Sequence, residues 1–337
     1  MSPTVPVSIL VPAYNAERYI AACLESVAAQ TFGDFEAIII NDESTDGTAD
    51  IARRFCARDP RFRLVDIPHS GLATARNRSL EAAKGEFVCF LDADDTLRRD
   101  ALELLILCQR SSGASIVACD FVESTDNPFT ESTAPLQDTP ERLPMNRKKI
   151  LAELRQMTPE DAIGQTLYQK LLLNSVCGKI ISRQHLPAGI FTDGIYYEDL
   201  DSFYRIFDKS EKIAYLPVAL YFYRQVSTSM LHKWDSRRLD VLDVTDRILA
   251  YMRQHHPELV AGAEDRRFSA HFNMLTLMII NDIHNPAAID RCLRVIREYR
   301  FRELRNPRVR LKNKLGALLS YGGLPLIRLA SRIISRQ

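Results

Sequence analysis

Three carboxylates, Asp92, Asp94 and Asp95, fall within four positions in the stretch FLDADDTL, directly after an apolar run. Like charges this close repel, so the arrangement needs a cation, a donor-rich ligand or open water to offset it. Divalent Mg²⁺ and Mn²⁺ prefer oxygen ligands, and Mg²⁺ is commonly held by one or two carboxylates together with substrate phosphates. A DxD at the end of a strand therefore suits a metal–diphosphate complex. For an isolated DxD, acids that cap the next helix or sit solvated in a turn are the commoner outcome. Here the strand-end position and the companion loops tip the reading toward the metal.

Other residues carry both a chemical and an ordinary reading. Asp42 could accept from a base or ribose, or be a turn residue, and Tyr14 could stack on a base or be a half-buried loop aromatic. Arg76 and Asn77 open a helix after His69-Ser70-Gly71, where a cation favours anions; the alternative is a surface arginine. Glu198 and Asp199 open another helix, which the helix dipole explains on its own, while a catalytic role needs a carboxylate placed to deprotonate a hydroxyl. Arg224 closes YFYRQ and could reach a phosphate or end a strand at the surface.

The elements that must position these residues follow from periodicity. Residues 7–11 (VSILV) form a continuous apolar β run, and Ile20, Cys23, Leu24, Val27 and Ala28 mark one face of a helix over 17–30. Strands are expected at 35–40, 63–67 and 87–91, with helices at 48–55 and 73–83 between them. This β-α alternation predicts a doubly wound parallel sheet, which binds ligands at the carboxyl ends of its strands. Residues 12–15, 41–46, 69–71 and 92–95 occupy those ends. Beyond a strand at 115–119, residues 124–145 read as a loop, 149–156 and 165–173 as helices, 213–215 and 220–223 as two short strands, and 237–299 as helical with breaks near Pro257 and Pro286.

Composition sets the class. The 337 residues are 46% hydrophobic and 26% charged, with no low-complexity tract, as in a folded protein of one large α/β domain plus a helical appendage. Seven scattered cysteines without a CxxC pair suggest neither a disulfide framework nor a zinc site but buried thiols in a reducing compartment. The amino terminus has no basic n-region and no apolar run reaches the ~18 residues of a membrane span. A cytoplasmic location is expected, with the inner face of the cell membrane as a peripheral site. The net charge of +1 hides an asymmetry: from residue 291 onward 13 Lys and Arg face two acids, leaving the first 290 residues ten charges negative. Arg300, Arg302, Arg305, Arg308, Arg310, Lys312 and Lys314 form a basic run, and Arg328, Arg332 and Arg336 recur every four residues opposite Ile327, Ala330 and Ile334, so residues 300–337 fit either an anionic bilayer or packing on the protein's own helices.

Together VSILVPAYNAERYIAACLESVAAQTF, IIINDESTDGT, GLATARNRSLEAAKGEFVCFLDADD and YYEDLDSFYRI resemble glycosyltransferase family 2 over roughly residues 5–230. The resemblance implies an α/β GT-A domain (nucleotide-diphospho-sugar transferase-like) over 1–232, with a donor half to about 120 and an acceptor half from about 121. Residues 233–337 would be a helical extension with a basic amphipathic tail. It further implies inverting transfer of a sugar from a nucleotide-diphospho-sugar, by family default a UDP-sugar, to a hydroxyl of a glycan or lipid-linked acceptor in cell-surface polysaccharide or lipopolysaccharide assembly, with Mg²⁺ or Mn²⁺. On that resemblance Pro12, Ala13, Tyr14 and Asp42 line the nucleoside site and Arg76 helps hold the base. Asp92 contacts nucleotide and metal, Asp94 is the principal metal ligand, and Arg224 steadies the diphosphate. Asp199 is the general base and Glu198 orients acceptor or base. NDES stands where DDGS is commoner, and His69-Ser70 where Asn and Gly are common; both bear on donor preference. The rival readings are a non-catalytic nucleotide-sugar-binding protein, disfavoured by intact Asp92, Asp94 and Asp199, and a nucleotidyltransferase, disfavoured by the separate Glu198-Asp199 pair. Nucleic acid is not an expected partner, because the presumed cleft is acidic.

Overall fold

The computed structural model describes residues 6–125, 147–225 and 234–334. The chain divides into two compact units, one of Met1–Pro159, Ser175–Gly194 and Arg205–Ser229, the other of Glu160–Asn174, Ile195–Tyr204 and Met230–Gln337.

The first unit opens with β1 (Val7–Ala13), α1 (Ile20–Ala28), β2 (Phe35–Asp42), α2 (Thr48–Arg58), β3 (Phe62–Ile67), α3 (Leu72–Ala82) and β4 (Phe87–Phe90). β1 pairs in parallel with β2 and β4, and β2 with β3. Every residue of β1 is buried, as its unbroken apolar run demands. On α1 the expected face, Ile20, Cys23, Leu24 and Val27, is buried, although the helix starts three residues later than its periodicity suggests.

The chain continues through β5 (Thr96–Leu97), α4 (Ala101–Ser112), β6 (Ile116–Thr125), α5 (Arg147–Glu153), β7 (Arg155–Met157), α6 (Pro159–Leu167), β8 (Lys179–Ser182), α7 (Glu198–Asp208) and β9 (Ile213–Gln225). The sheet runs β3-β2-β1-β4-β8-β6-β9-β5, with β7 on β9. β8 is antiparallel to β4 and β6, so the sheet is mixed and the expected parallel arrangement is its β3-β2-β1-β4 half. The two strands expected at 213–215 and 220–223 are one strand. Its register against β6 jumps from Cys119–Leu216 to Asp120–Ala219, leaving Pro217 and Val218 in a bulge, which accommodates a residue without an N–H to give the ladder. The helix expected over 149–156 ends at Glu153 and yields to β7, and the one expected over 165–173 begins earlier, with Pro159 as its first residue, where proline is preferred. Beyond Thr125, the loop expected at 124–145 lies outside the described residues.

The second unit holds α6 from Glu160, the first turns of α7, and α8 (Asp240–His255), α9 (Val260–Ile280), α10 (Pro286–Arg305), α11 (Leu311–Leu319) and α12 (Gly323–Ile334). α9 packs against α8, α10, α11 and α12. The expected breaks hold: a 3₁₀ turn at Pro257–Leu259 separates α8 from α9, and Asn285 caps α10 by accepting from the Ala288 N–H at 3.1 Å. Among the described residues no helix is long and apolar enough to cross a membrane. The seven cysteines are free, and all but Cys56 are buried.

Candidate active site

In the first unit the four parallel strands deliver their terminal loops to one sheet edge. The loop after β1 is laced to the one after β2: the Thr45 N–H donates to Asn15 Oδ1 at 2.8 Å, and the Ala16 N–H to Thr48 Oγ1 at 2.8 Å. Pro12 and Ala13 are buried at the end of β1 opposite Ile40 and Asn41. Asp42 is buried, and its carboxylate accepts from the backbone N–H of Ser70 at 2.7 Å and of Gly71 at 3.0 Å, with His69 Nδ1 at 3.0 Å. Asp42 thus fixes the turn into α3, where Gly71 adopts a φ of 88° open to glycine. Tyr14 is 48% exposed and stacks on His69, with ring centroids 4.2 Å apart.

The hydrogen-bonded path continues along α3. Arg76 is buried near the Phe191 ring rather than at the surface, and its Nη2 lies 3.0 Å from Asp92 Oδ1. In the acidic turn, the Asp95 N–H donates to the Asp92 carbonyl at 3.0 Å. Asp95 itself is 1% exposed and accepts from the Tyr221 hydroxyl at 2.6 Å and the Arg224 N–H at 2.8 Å. The same hydroxyl accepts from the Asp92 N–H at 3.2 Å, and Arg224 Nε donates to the Asp94 carbonyl at 2.8 Å. β9 therefore holds the turn by side chain and backbone together.

These bonds leave the turn short of positive charge. Burial, and then the Asp92 carboxylate, push Asp94 up to about 6. Burial, followed by Asp92 and Asp94, pushes Asp95 up to about 8 against the opposing Tyr221 and Arg224 bonds. Among the described residues no three Asp, Glu, His or Cys side chains converge as a ligand set. That donor chemistry fits a hard dication taking one or two carboxylates, Asp92 and Asp94, and completing its shell with diphosphate and water oxygens.

Glu198 and Asp199 belong to the second unit, at the start of α7. Tyr197 before them has a φ of 69°, a left-handed conformation costly for an aromatic residue and concentrated at functional sites. Glu198 is buried. Asp199 Oδ1 accepts from the Leu200 N–H at 2.7 Å, and its carbonyl from the Ser202 hydroxyl at 3.1 Å. Arg266, on α9, is drawn down to about 10 by burial and by Arg310, with Asp199, Asp265 and Tyr197 acting the other way. Asp199 is therefore within electrostatic reach of a guanidinium.

A family profile described as glycosyl transferase family 2 matches residues 8–186. The chain belongs to that family. It is 28% identical over 239 residues to EpsH of Bacillus subtilis (strain 168), a stretch that covers 69% of this chain and 65% of EpsH, so it spans just under two thirds of that relative. Over 100 residues it is 42% identical to the chondroitin synthase of Pasteurella multocida (strain Pm70), 30% of this chain and 10% of that one. The crystal structure of S. aureus TarS 1-349 in complex with UDP-GlcNAc superposes with a TM-score of 0.69 at 19% identity, covering 98% of this chain and 92% of that one. That likeness establishes the shared GT-A fold.

Within this family 2 chain the structure joins Tyr14, Asp42, Arg76, Asp92, Asp94 and Arg224 through one unit. Sequence reading missed Tyr221 and the anchoring of Asp95. The available signal was physical: an aspartate directly behind a DxD, too crowded to ionise freely, must find an O–H or N–H donor. It also missed Arg266, whose place near Asp199 depends on helix packing rather than on a motif.

Proposed function

We propose that this family 2 member is an inverting, metal-dependent glycosyltransferase, moving a sugar from a nucleotide-diphospho-sugar to a hydroxyl of a glycan or lipid-linked acceptor. The observation that carries the reading is the buried acidic turn, in which Asp94 and Asp95 are crowded against Asp92 and held by Arg76, Tyr221 and Arg224. Tyr14 would stack on the base, beside the Asp42-fixed loop. Arg76 keeps the Asp92 carboxylate turned, and Arg224 adds positive charge for the diphosphate. Mg²⁺ or Mn²⁺ held by Asp92 and Asp94 would stabilise charge on the departing diphosphate without a general acid. Asp199 would take the proton of the acceptor hydroxyl as that oxygen bonds to the anomeric carbon and the carbon–phosphate-oxygen bond breaks from the opposite face. Glu198 would orient Asp199 or the acceptor.

UDP as the nucleotide is supported by the UDP-GlcNAc held by TarS, and a glycan acceptor by the likeness to chondroitin synthase. Assembly of cell-surface polysaccharide or lipopolysaccharide would place the acceptor at the inner face of the cell membrane, for which a basic carboxy-terminal region is suited. The test is nucleoside diphosphate release from UDP-, GDP- and TDP-sugars with Mn²⁺, Mg²⁺ or EDTA. Slow metal-dependent release from one donor, lost in Asp94→Ala, is expected; Asp199→Ala should bind that donor yet fail to transfer. A chain that binds no donor in any metal would refute the reading.

A further inference from the structure

The last two helices each leave a row of large apolar residues exposed. On α11 the buried positions are Asn313, Gly316 and Ala317, whereas Leu311 and Leu318 are 72% and 60% exposed and Leu315 is exposed between them. Spacings of four and three put these leucines on one face. Gly316 lies against the Phe272 ring of α9, where an added Cβ would stand 3.1 Å from it, so the small inner face gives close docking. α12 repeats the arrangement. Ile327 and Ser331 are buried, the Ser331 hydroxyl donating to the Ile327 carbonyl at 2.8 Å, while Leu326, Leu329 (59% exposed) and Ile333 share an outward face. The Ile327 face, read from the sequence as meeting either a bilayer or the protein's own helices, lies against the protein; the outward apolar residues are its neighbours, and exposed Tyr321 stands in the turn between the two helices. Lys312, Arg328 and Arg332 are exposed beside them, in a region with 13 Lys and Arg against two acids.

Soluble monomers rarely leave so many large aliphatic side chains exposed in continuous stripes. We infer that the outer faces of α11 and α12 dock on an anionic lipid bilayer, the leucines and Ile333 entering the acyl boundary and Lys312, Arg328 and Arg332 meeting the headgroups. The charge decides the occupant: a rim of one sign complements an anionic surface and repels a second copy of itself. The inference goes beyond the transfer reaction and shares with it only the location of the acceptor.

The test is co-sedimentation of the full chain with phosphatidylcholine vesicles, with and without phosphatidylglycerol, alongside light scattering of the protein alone. Wild type should partition onto the anionic vesicles. Leu318→Glu/Leu329→Glu should lower partitioning at least tenfold, and Arg328→Gln/Arg332→Gln about tenfold or more on anionic vesicles only. Both should melt like wild type and release nucleoside diphosphate at the wild-type rate. Wild type remaining in the supernatant with anionic vesicles would overturn the inference, as would a dimer that the leucine variant splits. Should no donor be turned over, vesicle partitioning would still be read independently.

Discussion

Asp95 is nearly sealed from water between two like charges, and its fate sets two expectations. Its protonated form is favoured by folding, so the penalty for ionising it is absent near pH 4 and grows as pH rises toward 8. Asp95→Asn keeps a carbonyl oxygen to accept from the Arg224 N–H, turns an amide N–H toward the Tyr221 hydroxyl oxygen, which can accept it, and removes that charge. At pH 8.5 it should be more stable than wild type by on the order of 1–3 kcal/mol, with the gap narrowing at pH 5, as chemical denaturation would show. Tyr221→Phe should cost about 1–3 kcal/mol, because it strips the hydroxyl from a buried carboxyl and from the Asp92 N–H. Its donor turnover should fall as well, read by product release at matched folded fraction. At this scale the sequence showed the acids, since a DxD after an apolar run is visible locally. It did not show their support, because Asp95 and Tyr221 are 126 residues apart.

Among the elements, the parallel half was readable because β1, β2 and β4 are largely apolar and buried runs, each ended by a polar loop, while β3, at the sheet edge, alternates Arg63 and Asp66 with apolar residues. β9 was misread as two pieces because Pro217 interrupts a strand only where no neighbour needs its N–H, a fact of the sheet and not of the chain. β7, with the sequence RQM and little burial, has no alternation to mark it. Gly178, just ahead of β8, is a sensitive position: its φ is 64°, and an added Cβ would stand 2.6 Å from the Phe121 ring. Gly178→Ala should therefore destabilise the protein by roughly 2 kcal/mol or more, through backbone conformation and contact together, measured as a lowered denaturation midpoint.

Across the whole molecule, stability in acid should report on the helical unit. His271 is fully buried on α9, its Nδ1 2.8 Å from the Arg267 carbonyl, and burial pulls it from 6.5 down to about 4. Above about pH 6.5 it is neutral folded or unfolded and adds no pH dependence. Between 6.5 and 4 the unfolded chain takes a proton that the folded chain refuses, so stability should fall by up to about 3 kcal/mol. His271→Gln should flatten that part of the pH profile in thermal denaturation. The segregation of charge was legible by counting, whereas which face of α12 points outward was not, because Ile327 and Ser331 lie against the protein while Leu326, Leu329 and Ile333 do not.

The position of β9 also orders events during synthesis. The acidic turn leaves the ribosome 126 residues ahead of Tyr221. At roughly 5–20 residues per second, it waits on the order of ten seconds for the strand that secures it. A nascent or prematurely terminated chain would present the parallel strands with the carboxylates unbraced until translation has passed β9.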